Sequence, residues 1–565
     1  MTDTDQDARA RDIEARVPPT VAHVPFACAE RFGDRTAQRV KREGEWQETT
    51  HAELAEQVGA LAQQLVALGV DPGDRVAVLA ETRAEWALSQ FAISAAGAAV
   101  VPIYPTNSPE ECEWVLSDSG ASVVICENAA QVAKVDAVRS SLPDLRHVLV
   151  IEPAGSHVTV AELVERGRGQ DLTEVRRRVE EVSPDDPSVI IYTSGTTGKP
   201  KGCVLTHGNL MACVRQAVVM DIIHEDDDAY LFLPLAHVFA QVINIDLIAL
   251  GGAVAYVSAG SASIMSDLAE IRPTGFPAVP RIFEKVHALF ADAPRTEEVY
   301  AKVRAVFGGR LTFAISGAAP ISADIVQFFL DAGVPVMEGY GLSESTASGT
   351  LNTPTAVRAG TIGRPVPGCE VRCAEDGEIL MRGPHIFAGY WRNPEATAEV
   401  LTEDGWLRTG DLGTIDEDGF IRITGRKKEI IITAGGKNLT PSEMENELRQ
   451  CPLISNAIMH GDRRPYPVAL ITLDPEYVVP WAAKHGLPRD IPTLADHAAI
   501  REAIQQVLDT INAKHAKVAQ IKRFVILPND FSQETGELTP TLKMRRSVIN
   551  QMYADVLDAL YAVPR

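Results

Sequence analysis

No stretch of this 565-residue chain approaches the roughly 18 uninterrupted apolar residues that a membrane span needs. The nearest candidate, Val242 to Val257, is broken by Asn244 and Asp246. A spanning protein is therefore not expected, and only peripheral membrane contact is left open. The opening Met1-Thr-Asp-Thr-Asp-Gln-Asp7 is acidic and lacks the basic and apolar segments of a secretory leader. Positive charge is short as well: 53 Lys and Arg against 76 Asp and Glu leave −23, a summed field that repels polyanions and argues against nucleic acid as a partner. Any phosphate ligand must then be met by local basic clusters. C-x-x-C spacing is missing among the eight cysteines, Cys28, Cys112, Cys126, Cys203, Cys213, Cys369, Cys373 and Cys451. They are expected as buried thiols in a reducing cytoplasm, with no metal site among them. Internal repeats and low-complexity tracts are absent too. With 45% apolar and 23% charged residues the composition suits a soluble enzyme, and the length predicts two or more domains.

What is present is concentrated in Thr193-Ser-Gly-Thr-Thr-Gly-Lys-Pro-Lys-Gly202, entered from the apolar run Ser188-Val-Ile-Ile-Tyr192. Hydroxyls, bare backbone N–H groups at glycines and two lysines within ten residues are what a polyphosphate needs. The competing Walker loop, G-x-x-x-x-G-K-[ST], has its lysine followed by a hydroxyl and opening a helix. Here Gly195 and Gly198 are three apart and Pro200 follows Lys199. Pro has no N–H and disfavours helix at the preceding residue, which excludes the Walker form. A plain surface turn rich in Gly, Ser and Thr is the bland alternative.

In chain order, Thr50 with Glu53 forms a capping box for a helix striped by Leu54, Val58, Leu61, Leu65 and Leu68 and stopped by Gly69. Arg75–Leu79 follows as a strand. The pattern recurs with Thr82 and Glu85 boxing a helix toward Gly97, Val100–Tyr104 as strand, and Ser108-Pro109 with Glu111 starting another helix. Val123–Cys126 and Val148–Ile151 read as further strands. Such alternation predicts a parallel sheet covered by helices, with the loop at 193–202 at the C-terminal end of a strand, where open α/β sheets take ligands. From about Gly360 to Gly425, Asp376-Gly377, Asp404-Gly405 and Asp418-Gly419 are hairpin signals and predict an antiparallel, barrel-like part. The fold class is thus α/β: a large N-terminal domain (1–425, barrel-like part about 355–425) and, beyond the basic cluster at 426–428, a separate smaller α+β C-terminal domain (429–565).

Four more stretches look like special-purpose loops: Gly339-Tyr-Gly-Leu-Ser-Glu344, Thr409-Gly-Asp411, the segment Thr424–Thr440 with its Arg426-Lys427-Lys428 cluster and Gly435-Gly436 pair, and Leu538-Thr-Pro-Thr-Leu-Lys543. With Tyr192–Gly202 they resemble, in order and along nearly the whole chain, the signature motifs of the adenylate-forming superfamily of acyl-CoA synthetases, carrier-linked adenylation domains and luciferases. Within it, Met337–Glu344, Ser316-Gly-Ala-Ala-Pro320, Phe276–Glu284 and Gly435–Pro441 look most like long-chain fatty acid CoA ligases.

The resemblance implies two half-reactions at one site. A carboxylate attacks the α-phosphate of ATP to give acyl-adenylate and pyrophosphate, and the thiol of CoA then displaces AMP. Ser194, Gly195, Thr196, Thr197, Gly198 and Lys201 would hold the β- and γ-phosphates, whose developing charge needs fixed donors and cations. Thr193 and Glu344 would hold Mg²⁺. Gly317, Ala318 and Ala319 would lie against the adenine with Tyr340 opposite, though each serves equally well as packing, and Glu338, Gly339, Gly341 and Ser343 belong to the same nucleotide-binding stretch. Asp411 would accept both ribose hydroxyls; tying its own turn is its alternative. Arg426 would reach the ribose or α-phosphate. Lys543, a compact charge with three donors, would bridge the incoming carboxylate and the α-phosphate, unless it is an ordinary exposed lysine. Lys428 matches the hinge about which the C-terminal domain turns, withdrawing Lys543 and bringing Gly435 and Gly436 to line a pantetheine path. His237 matches a position near the substrate carboxylate, with a structural role as the alternative. Some long-chain members carry a gating Trp where this chain has Gln241, and the segment between Phe283 and Leu311 is shorter than in several bacterial relatives, so the acyl pocket is the least determined part. ATP, CoA and a medium- or long-chain fatty acid are the expected partners. A fatty acyl-AMP ligase serving an acyl carrier protein, and a non-catalytic nucleotide- or lipid-binding protein on the same scaffold, are the competing readings. A peptide synthetase module is less expected, as no carrier domain follows. Oligomeric state is open, a homodimer included.

Overall fold

The computed structural model describes residues 13, 16–193, 199–290, 293–539 and 543–562. The chain divides into two compact units: the first comprises Met1–Arg372, Leu380–Arg408 and Glu417–Ile421, the second Cys373–Ile379, Thr409–Asp416 and Arg422–Arg565.

The first unit holds two large sheets, parallel in the middle and antiparallel at an edge. The seven-stranded sheet runs Gly389–Tyr390, Lys201–Thr206, Pro187–Thr193, Ala99–Ile103, Arg75–Leu79, Val123–Cys126, His147–Val150. Its central strands are near-continuous apolar runs, buried throughout at Ala99–Ile103 and Val123–Cys126, because helices cover both faces of a parallel sheet. The nine-stranded sheet runs Arg364–Pro365, Thr350–Leu351, Val336–Tyr340, Phe313–Ser316, Gly275–Ala278, Asp228–Leu231, Ala253–Tyr256, Thr36–Arg42, Glu45–Thr50. Beside it, Phe276, Phe283, Phe307 and Phe329 form a buried aromatic cluster with mostly tilted and edge-on ring pairs.

Local capping explains where the helices start. Thr50 and Glu53 close the expected box on helix His51–Ala67, and Ser108 and Glu111 do so on Pro109–Ser119. The Thr82–Glu85 box does not form: helix Ala84–Ala95 is entered at Arg83 without a side-chain cap. Thr82 is buried, and its hydroxyl donates to the Leu233 carbonyl and accepts from the Leu235 N–H, at 2.7 and 2.9 Å. Glu85 pairs instead with the Arg83 guanidinium at 2.9 Å. A tertiary demand for the hydroxyl overrides the local motif.

The Gly360–Gly425 region holds the expected small antiparallel half-barrel, four strands in the order Glu370–Cys373, Glu378–Arg382, Leu407–Ile415, Ile421–Arg426. Gly377, Gly405 and Gly419 have φ of 83°, 82° and 82°, the left-handed region that the three Asp-Gly turns require. Two short strands of the same stretch, Arg364–Pro365 and Gly389–Tyr390, pair with the large sheets instead.

In the second unit, Ile454–His460 pairs antiparallel with Val468–Leu473, which pairs in parallel with Arg523–Ile526. The period of two divides this sheet between two cores: Ala457, Met459, Ala469 and Ile471 pack with helices Pro441–Arg449 and Ala498–Lys514, whereas Ile458, Val468 and Leu470 pack with Ile549 and Leu557. Six of the eight cysteines are buried and two half-buried, all unpaired. Among the described residues no helix is long and apolar enough to cross a membrane.

Candidate active site

The hairpin Pro187–Thr193/Lys201–Thr206 is the base of the site. Its antiparallel register sets Thr193 opposite Lys201. Ser194, Gly195, Thr196, Thr197 and Gly198 lie outside the described residues. Gly202 is demanded by crowding: a Cβ there would come within 2.9 Å of Ile190 Cγ2 and 3.1 Å of Trp391 Cβ. The two lysines that bracket Pro200 go to different aromatic rings. Lys199 Nζ lies 4.0 Å from the Trp114 ring centroid, and the Trp114 indole N–H donates to the Pro200 carbonyl at 2.8 Å. Lys201 Nζ lies 5.2 Å from the Tyr390 centroid. Both are cation–π contacts. At the strand end, the Tyr192 hydroxyl donates to Asp118 Oδ2 at 2.6 Å; burial, then the Asp118 carboxylate, pushes its ionisation well above the ordinary tyrosine range.

Glu344 reaches this hairpin from the strand Val336–Tyr340. Gly341 permits the turn, since a Cβ would stand 2.2 Å from the Ala347 carbonyl carbon. Ser343–Ser345 forms a single 3-10 turn, followed by Thr346 and Ala347 at φ 53° and 55°, conformations that cost energy in non-glycine residues. The strained turn is pinned: the Thr346 hydroxyl donates to the His385 carbonyl at 2.7 Å, and the Glu344 carbonyl accepts from the Phe387 N–H at 2.9 Å. The Glu344 carboxylate accepts the Tyr390 hydroxyl at 2.7 Å. Tyr390 stands opposite Cys203 on the hairpin. Sequence reasoning missed Tyr390, because only the pairing of Gly389–Tyr390 with a distant strand brings it here.

The stretch expected to meet adenine follows strand Phe313–Ser316. Gly317 is buried, with Ala318 and Ala319 exposed; a Cβ at Gly317 would approach Phe239 to 3.3 Å. Ala318 has φ 68°, an unusual conformation for a residue with a side chain. Ser316 lies opposite Glu338, which is buried, and Gly339 and Tyr340 pair with Leu351 and Thr350. The sheet thus brings the Gly317 and Glu338–Ser343 stretches together on adjacent strand ends. His237 caps helix Val238–Ala249: its Nδ1 accepts the Phe239 N–H at 3.2 Å, which puts the proton of the neutral ring on Nε2. Gln241 is buried, donating to the Leu235 carbonyl at 2.9 Å and accepting from Gln90 at 2.8 Å.

In the second unit, Asp411 is 2% exposed and its Oδ1 accepts from Arg426 Nε at 2.8 Å. The Thr409 hydroxyl takes the Asp411 backbone N–H at 3.1 Å, so the turn is tied through the backbone and the carboxylate faces Arg426. Lys427 contacts Asp376 and Glu378 at 2.5 and 3.0 Å. Lys428 is exposed within the 3-10 turn Lys427–Glu429, and Gly435 and Gly436 are exposed in the connection between Ile431–Ile432 and Asn438–Leu439. Lys543 is exposed three residues before helix Arg546–Met552; its N–H donates to the Thr539 hydroxyl at 3.0 Å.

This is the scaffold of an enzyme that forms adenylates. The model of the AMP-binding enzyme family matches residues 26–391 and that of the AMP-binding enzyme C-terminal domain matches 428–564, and the chain belongs to this family. It is 40% identical over 561 residues to the long-chain-fatty-acid–CoA ligase FadD15 of Mycobacterium bovis, covering 92% of this chain and 93% of that one. Human long-chain-fatty-acid–CoA ligase ACSBG1 is 30% identical, covering 97% and 86%. Among solved structures, ATP-bound MatB from Rhodopseudomonas palustris superposes with a TM-score of 0.75 at 25% identity, covering 95% of this chain and 99% of that one.

Gly341→Ala forces the Ala347 backbone away and with it the turn that carries Glu344. The expected outcome is loss of ATP-dependent thermal stabilisation with an unchanged far-UV circular dichroism spectrum. Wild-type stabilisation by ATP in the variant would show that the close approach does not set the site.

Proposed function

We propose that the chain is an ATP-dependent fatty acid CoA ligase acting on a medium- or long-chain acid. The observation that carries this reading is the meeting of Thr193, Lys201, Tyr390 and Glu344 at one sheet edge, in a chain 40% identical to a long-chain ligase. In the first step a carboxylate oxygen attacks the α-phosphorus of ATP, the α–β anhydride bond breaks, and pyrophosphate leaves. In the second, the sulfur of CoA attacks the acyl carbon, the acyl–phosphate C–O bond breaks, AMP leaves, and the thiol proton passes to solvent.

Lys201 and the loop residues Ser194 to Gly198 meet the leaving pyrophosphate, supplying charge and hydrogen-bond donors. Asp411 accepts the ribose hydroxyls, and its pairing with Arg426 orients both groups. Gly317 to Ala319 and Tyr340 flank the adenine, with the strand residues Glu338 and Gly339 and the turn residues Gly341 and Ser343 contributing to the same nucleotide site. His237, its Nδ1 committed to the helix cap, presents Nε2–H toward the acid. Magnesium fits the donor set: a carboxylate at Glu344 and a hydroxyl at Thr193 are the hard oxygens it takes, few in number, and when bound it neutralises polyphosphate charge. Lys543 bridges carboxylate and α-phosphate in the first step. Residues 429–565 then turn about Lys428, relative to residues 1–425, and Gly435 and Gly436 line the path of the pantetheine arm. The acyl carrier protein alternative differs only in the acceptor, and retention of Lys543 favours an enzyme over a mere binder. A cytoplasmic location goes with this reading.

For Lys543→Ala we expect acyl-adenylate formation to fall on the order of 100-fold or more, the effect of removing one transition-state donor, while supplied acyl-adenylate still yields thioester. Equal loss of both steps would contradict the assignment. Lys428→Pro, which restricts φ at the hinge, is expected to spare pyrophosphate release and abolish thioester formation. Unchanged turnover would remove the hinge from the mechanism.

A further inference from the structure

Tyr390 combines two contacts in one side chain. Its ring takes the Lys201 ammonium on its face, 5.2 Å from the centroid, and its hydroxyl donates to Glu344 Oε1 at 2.7 Å. The two groups that the proposed reaction assigns to polyphosphate and to its cation are thereby attached to the same residue.

The side chain is built to stay where it is. Gly389–Tyr390 is hydrogen-bonded as a strand to the hairpin, opposite Cys203 and Val204. The Tyr390 N–H donates to the Thr397 hydroxyl at 2.9 Å, and the Tyr390 carbonyl accepts from Asn393 at 3.1 Å. Phe387 meets the ring edge-on, centroids 5.0 Å apart. Gly389, at φ 133°, is a position that only glycine takes easily, and a Cβ would strike the Thr397 side chain at 2.8 Å.

A carboxylate on a flexible stem can rotate and offer either oxygen. With Oε1 committed to a rigidly held phenol, the rotation is fixed and the second oxygen has one direction to point. Hydrogen-bond partners of this kind commonly set both the orientation and the affinity of a metal-binding carboxylate. We propose that Tyr390 is a positioning residue: it holds the Glu344 carboxylate in the orientation that meets the magnesium accompanying ATP, and seats Lys201 beside it. This rests on the assignment of Glu344 to magnesium made above.

The test is a double-mutant cycle read by calorimetric ATP binding in the absence of acid, with magnesium and with EDTA. The ratio of the two dissociation constants is the magnesium enhancement. Tyr390→Phe keeps the ring and removes the hydroxyl; it is expected to lower the enhancement about 10-fold while leaving metal-free ATP binding unchanged. Glu344→Gln is expected to lower it at least as much, and the double variant to match Glu344→Gln alone. If Glu344→Gln loses the enhancement and Tyr390→Phe keeps it, the positioning role falls and the Glu344 assignment stands. If neither variant changes it, the Glu344 assignment falls and takes the positioning role with it. If Tyr390→Phe weakens metal-free ATP equally, or its effect persists beside Glu344→Gln, Tyr390 acts by some route other than Glu344 and the proposal is overturned.

Discussion

The antiparallel pairing of Pro187–Thr193 with Lys201–Thr206 is the constraint on which the site depends. It closes one edge of a sheet whose centre is parallel, and it fixes Thr193 opposite Lys201. A one-residue slip would turn every side chain of a strand to the other face, moving Lys201 off the Tyr390 ring and Cys203 and Leu205 out of the buried layer in which they lie. The same edge accepts Gly389–Tyr390 as a further strand, and through Tyr390 it acquires Glu344. Thr193, a carboxylate and a lysine are thus referred to one backbone ladder.

Charge is handled locally in a chain that is strongly acidic. Lys199 and Lys201 sit against aromatic rings, contacts that steady a cation without neutralising it as a carboxylate would. In the second unit the opposite arrangement holds: Asp411, almost wholly buried, is paired with Arg426, which is about half exposed. Removing Arg426 would leave a buried carboxylate without its cation, the costly half of a broken ion pair. Lys427 between Asp376 and Glu378 repeats this arrangement next to Lys428.

Much of this was legible from residue order because it depends on local chemistry. The Thr50 and Ser108 boxes, the buried parallel strands and the three Asp-Gly turns each need only a few neighbouring residues, and the structure has them. What was not legible depends on partners far away in sequence. Thr82 has the spacing of a cap but gives its hydroxyl to Leu233 and Leu235. Gly389–Tyr390 belongs by position to the barrel-like stretch but pairs with the hairpin. Tyr390 carries no motif of its own, and its link to Glu344 exists only once three separated segments have met. Gln241, noted for its departure from the related ligases, proves to be held by Gln90 and by the Leu235 carbonyl.

One chain is expected to perform both adenylate formation and thioester formation. The direct measurement is pyrophosphate release and CoA-thioester formation, side by side, across straight-chain acids of increasing length with ATP and Mg²⁺. Both products, peaking together at a medium or long chain, are the predicted result. Pyrophosphate without thioester would contradict CoA as the acceptor and favour a carrier protein, and the absence of both with every acid would contradict the fatty acid ligase reading itself.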